Sequence, residues 1–172
     1  AEMIRWVREV SAAAKAEDPR FIVIAQNAAP LLSDASYLAA IDAVAHEDIW
    51  FTGADNGPDG DCPVPRTAAE AGSKAHVSAL SAACRRAYVR DEANAMHFAG
   101  ESEIVPQLVR ARAAGKAVFT VDYALKAANV AEIRARSRAL GFVPFAGARP
   151  LRAYVEPEVG SSGSLPEGHP RP

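Results

Sequence analysis

Phe21-Ile22-Val23-Ile24-Ala25-Gln26-Asn27 is a run of five apolar residues that stops on two amides. Its length suits a β-strand, and a strand apolar on both faces belongs in a parallel sheet covered by helices. Upstream, Met3, Val7, Val10 and Ala14 recur at helical spacing, and Pro19 closes that segment. The unit is a helix followed by a strand, and it recurs. Ser33 or Asp34 caps a short helix carrying Leu38 and Ile41, and a strand over 42–46 leads to Glu47 and Asp48. A third helix carries Ile104, Val105, Leu108 and Val109, with Pro106 in its first turn and Gly115 at its end. Its strand, Ala117-Val-Phe-Thr-Val121, finishes at Asp122 and Tyr123. In the fourth unit Asn129 and Glu132 have capping-box spacing. Ile133, Ser137 and Leu140 share a face, Gly141 ends the helix, and a strand covers 142–146.

Helix and strand alternating four times predict an α/β fold with a parallel sheet. Residues 52–101 break the rhythm as an insertion after the second strand. It opens on the turn-rich Gly53–Gly60 stretch and continues into an Ala-rich helical segment over 68–90. From 156 to 172 the chain is rich in Pro, Gly and Ser, which predicts a disordered tail and leaves 1–155 as the folded unit. A whole (β/α)8 barrel takes about 250 residues, so four units amount to half of one. A small open sheet of flavodoxin type is the alternative.

Composition narrows the function classes. The chain has 172 residues with a net charge of -2, and nothing in that balance suggests an electrostatic grip on nucleic acid, which usually needs a basic face. Its longest apolar runs are too short to cross a bilayer. Cys62 and Cys84 either pair in an exported protein or stay thiols in a reducing compartment. No leader pattern follows Ala1, and the sequence leaves the compartment open. No Cys or His spacing suits a metal, and no phosphate-cradling glycine loop follows a strand, so neither metal nor organic cofactor is expected.

In parallel α/β folds function collects where strands end. Those ends carry Gln26 and Asn27, Glu47 and Asp48, Asp122 and Tyr123, and Arg149 close behind Gly147. Paired carboxylates suit glycosidic bond cleavage, in which one protonates the leaving oxygen and the other acts as nucleophile or as base for water. Glu47 is the expected proton donor, its pKa raised by burial or by Asp48, and Asp122 the second carboxylate. Gln26, Asn27, Asp48, Tyr123 and Arg149 would hold the substrate, with Trp50 as a stacking platform. Carboxylates after strands are also common as caps or ion-pair partners, and Trp50 as core. His46 reads as a hydrogen-bonded structural residue.

Asp18-Pro19 with Phe21–Asn27, then Ala45-His-Glu-Asp-Ile-Trp-Phe51, resembles the TIM-barrel glycoside hydrolases related to glycoside hydrolase family 114, the endo-α-1,4-polygalactosaminidase group. Ala114–Tyr123 resembles that family's later strand, and Arg138–Phe145 its last unit. The resemblance covers residues 2–52 and 101–152. It implies a TIM barrel, a secreted or extracytoplasmic setting and a polysaccharide substrate rich in amino sugars. Two departures stand out. The N-terminal half of the barrel, with one expected catalytic Asp, is not in this sequence, and the 52–101 insertion is long. A non-catalytic carbohydrate-binding barrel is the rival reading.

Overall fold

Four parallel strands lie side by side in chain order, each reached from the one before by a crossover that includes a helix. The computed structural model describes residues 2–54, 58–90 and 95–149. Its helices are α1 (Glu2–Glu17), α2 (Ala35–Ala40), α3 (Lys74–Ala79), α4 (Ala82–Arg90), α5 (Val105–Ala113) and α6 (Ala127–Ala139). Its strands are β1 (Ile24–Gln26), β2 (Ala43–Glu47), β3 (Phe51–Gly53), β4 (Asp61–Pro63), β5 (Ala117–Tyr123) and β6 (Val143–Gly147). The sheet order is β1-β2-β5-β6, and β3 and β4 form a separate antiparallel hairpin. The expected mixed α/β architecture with a parallel sheet is present. The expected tail over 156–172 lies outside the described residues.

Strand alternation divides the sheet into two unlike faces. Val44, Val118, Thr120, Asp122 and Ala146 point one way and are buried against the helices. They join Leu32, Tyr37, Ile41, Leu108 and Ile133 in the main core, and Thr120 shares a hydrogen bond with Ser137 of α6. On the opposite face Phe119 and Val121 are half-buried, and Ile24 and Val143 remain about half exposed. Among the described residues no helix covers this face.

Local chemistry explains the element ends. Asp34 accepts from the backbone N–H of Ser36 and Tyr37, which caps α2. Pro106 sits in the first turn of α5, and Gly115 and Gly141 take left-handed φ just past their helices. Several expectations need correction. The first strand is shorter and later than the apolar run. Phe21 and Ile22 are exposed, because Asp42 pins Val23 by accepting its N–H and pairing starts only there. The inward stripe of α1 is half-buried Ile4, Val7 and Ala14 with buried Ser11, whereas Met3 and Val10 are exposed beside exposed Trp6. Asn129 and Glu132 form no capping box. Asp61 caps α6 from a distance, accepting from Leu125 N, Lys126 N and Asn129 Nδ2.

The inserted segment has its own small core of Cys62, Leu80, Cys84, Ala87 and Met96, closed by a Cys62–Cys84 disulfide. This resolves the two fates left open for the cysteines. The Ala-rich stretch is helical only over Lys74–Ala79 and Ala82–Arg90, with Leu80 and Ser81 between them. Asp61 and Arg66 tie the insertion to α6, so it packs beside the C-terminal ends of the strands. Among the described residues no helix is long and apolar enough to cross a membrane.

Candidate functional site at the carboxyl ends of the strands

β1 and β2 end in the same way. Asn27 follows β1 with φ +53°, and Asp48 follows β2 with φ +55°. Asn and Asp are the side chains that best tolerate this left-handed conformation. Each still reaches the neighbouring strand: Asn27 N–H bonds the Ala45 carbonyl, and Asp48 N–H bonds the Val121 carbonyl, both at 2.9 Å. The chain therefore turns sharply while staying anchored, which fixes Glu47 between the two turns.

Glu47 is the hub. Its Oε2 accepts from Asn27 Nδ2 at 2.9 Å, and its Oε1 accepts from the Tyr123 hydroxyl. Burial, the largest single influence, pushes its pKa up. The hydrogen bonds from Tyr123 and Asn27, the Arg149 charge and a hydrogen bond from Gln26 together outweigh it. The net direction is downward, so Glu47 is held as a carboxylate. This corrects the expectation of a raised pKa for a proton donor: the donors at the ends of β1 and β5 were not legible as Glu47 partners in the sequence.

Asp48 differs. Burial raises its pKa, the Glu47 charge adds to the rise, and Arg149 and Thr52 only partly oppose it. Arg149 Nη1 lies 3.5 Å from Asp48 Oδ1, donates to Thr52 Oγ1 at 2.8 Å, and its guanidinium sits 5.2 Å from the Tyr123 ring centre. Gly53 makes this closeness possible, since a Cβ there would meet Arg149 Cβ at 3.0 Å and Tyr123 Cβ at 3.1 Å. The Tyr123 hydroxyl is pushed up by burial and by Glu47, so it stays a donor.

The structure thus brings together Gln26, Asn27, Glu47, Asp48, Tyr123 and Arg149. Two expected site residues are elsewhere. Asp122 ends the same strand as Tyr123 but points to the helix-covered face, fully buried, where its Oδ1 accepts from Ile49, Trp50 and Phe51 N–H. Adjacent residues on a strand must face opposite ways, so Asp122 and Tyr123 never shared a mouth. Trp50 is core, with Arg136 packed 5.6 Å from its ring centre, and offers no stacking platform. His46 is also core-side, and its Nδ1 donates to the Glu47 carbonyl at 2.7 Å. Burial lowers its pKa and keeps it neutral. Thr52 and Gly53 carried no local signal, because their roles depend on a partner about a hundred residues away.

No family model matches the chain. A protein of Deinococcus radiodurans, described only as uncharacterized, is similar. It is 29% identical over 155 residues, which are 90% of this chain and 38% of the relative. The chain therefore spans well under half the length of that relative.

Proposed function

We propose that this chain is the C-terminal half of a (β/α)8 glycoside hydrolase that cleaves a polysaccharide, by resemblance one rich in amino sugars, through carboxylate chemistry at Glu47. The observation that carries the reading is a carboxylate held ionised at the strand ends beside a second carboxyl group whose pKa burial shifts the opposite way. Environments that push two titratable groups apart are how one site runs acid and base chemistry together. Glu47 then serves as nucleophile or as base for water, with Asp48 the in-chain candidate for the second carboxyl group. Arg149, Gln26 and Asn27 bind sugar hydroxyls and steady the charge. Tyr123 keeps its proton and orients Glu47. No metal or organic cofactor enters this chemistry.

Three features support the barrel. The strands are parallel and in sequential order, one sheet face stays apolar and open, and the relative is far longer than this chain. Met3, Trp6 and Val10 of α1, with Ile24 of β1, line an apolar groove of about 570 Å³ at the β1 edge. An upstream βα unit of the same polypeptide fits there, since an unpaired edge and an apolar groove both seek cover. The disulfide supports an oxidising, extracytoplasmic setting.

The rival reading is a carbohydrate-binding barrel without turnover. It is favoured by one fact: both Glu47 carboxylate oxygens already have protein donors. Reducing-end release from a panel of amino-sugar and neutral polysaccharides, measured with the protein as its gene encodes it, separates the two. Release from any member supports the hydrolase. Binding without release, surviving Glu47→Gln, supports the rival.

A further inference from the structure

Asp122 is a buried acid that the proposed chemistry does not use, and its surroundings are unusual. It is fully buried, and one oxygen takes three successive backbone N–H groups, from Ile49 at 3.0 Å, Trp50 at 2.7 Å and Phe51 at 2.9 Å. Its other oxygen is buried with no hydrogen-bond partner among the described residues. A cap that served folding alone would be better as a neutral group, because an unpaired buried carboxylate is costly.

The three amides belong to the turn that leaves Glu47. Asp48 starts that turn in the left-handed region, and Thr52 follows it and accepts from Arg149. On its other side the turn rests against Gly100, where a Cβ would lie 2.0 Å from the Ile49 carbonyl oxygen. The next residue after Asp122, Tyr123, reaches through the opposite face to the Glu47 carboxylate. One strand end therefore holds this segment twice: the Asp122 carboxylate accepts the turn's N–H groups, and the Tyr123 hydroxyl donates to the Glu47 carboxylate just before it.

We propose that Asp122 is a positioning residue: by clamping the 49–51 backbone it sets where Asp48 and Thr52 stand, and through them where Arg149 faces Glu47. It touches no substrate. Asn at this position keeps one acceptor oxygen but replaces the other with an N–H donor. Its amide would also point into the space where the second oxygen finds no partner. The turn then slackens, and the Asp48–Arg149–Thr52 arrangement loosens with it. Burial pushes the Asp122 pKa up to about 7, in line with a strained, poorly compensated charge.

This inference rests on the Glu47 site reading, so the test reads the site directly as well as its activity. The carboxyl carbons of Glu47 and Asp48 are titrated by NMR in wild type and in Asp122→Asn, with circular dichroism confirming the fold. The expected result is a shift of at least about half a pH unit in the titration of Glu47; a shift of Asp48 alone is set aside, since its charge couples directly to Asp122. If the hydrolase is active, kcat falls at least tenfold while KM changes less than about twofold. A moved Glu47 titration without any hydrolase activity leaves the positioning role standing and sinks the hydrolase reading instead. A Glu47 titration that overlays wild type overturns the positioning role. Should Asp122→Asn not fold, amide hydrogen exchange of Ile49, Trp50 and Phe51 in wild type decides. Protection as deep as that of β5 supports the clamp, and exchange as fast as an open loop overturns it.

Discussion

Asn27 and Glu47 hold each other in both directions: Asn27 Oδ1 accepts the Glu47 backbone N–H at 2.8 Å, and Asn27 Nδ2 donates to the Glu47 carboxylate at 2.9 Å. Only one orientation of the amide satisfies both bonds, so strand β1 dictates how β2 presents its carboxylate. Asn also tolerates the left-handed backbone at this position. One side chain thus meets a conformational demand and a chemical one.

Replacing Asn27 by Asp keeps the backbone tolerance but removes the donor and sets a second carboxylate against Glu47. The pKa of Glu47 should rise by about one or more, the usual effect of a like charge at this range. A carboxyl NMR titration measures it directly. A Glu47 that titrates as in wild type would show that Asn27 does not govern its charge.

Asp122 predicts a pH dependence of stability. Its folded-state pKa is raised from 3.8 to about 7, chiefly by burial, against the opposing pull of three backbone N–H groups. Between these values the folded chain keeps a proton that the unfolded chain has released. The contribution is therefore fully present below about pH 3.8 and lost as pH rises through about 7. Buried neutral His46 acts in the opposite sense, since its pKa is lowered. His76, whose pKa burial also lowers, acts like His46, so the test is the difference: between pH 5 and pH 8 wild type should lose stability relative to Asp122→Asn in chemical denaturation. Equal changes in both proteins would contradict the assignment.

Gly100 marks where the insertion returns to the sheet. A Cβ there would sit 2.0 Å from a backbone oxygen, a contact no rotamer change relieves. Gly100→Ala should cost at least about 2 kcal/mol, on the scale of overpacking a tight core. Urea denaturation reads this. A variant as stable as wild type would mean the turn at Ile49 yields more easily than its packing indicates.

Much of the fold was legible because hydrophobic period and strand-end polarity are local signals. The run into Gln26 and Asn27, the Asp34 cap, Pro106 and the two left-handed glycines all lie where the chain pattern puts them. The misses share a cause. Phe21 and Ile22 looked like strand, but pairing is decided by Asp42, which pins the backbone at Val23. Asn129 and Glu132 looked like a cap, but the cap comes from Asp61, some sixty residues away. At the site, Glu47 and its neighbours could be placed at strand ends from sequence. The facing of Asp122 could not, because a one-residue difference in where the strand ends turns a mouth residue into a core residue. The charge of Glu47 was equally out of reach, since Tyr123 lies 76 residues from it.

The central claim is that Glu47 does chemistry as an ionised carboxylate. Its most direct test is turnover by Glu47→Gln in the protein as its gene encodes it. The substrate is whichever polysaccharide wild type cleaves, and circular dichroism and substrate affinity are followed alongside. Gln keeps the size of the side chain and can still bond Tyr123 and Asn27, so the fold and affinity should hardly change. Turnover should fall by at least about 100-fold, the scale of losing an acid–base group. Turnover close to wild type, with the fold intact, would contradict the claim and leave Glu47 as a structural tie between β1, β2 and β5.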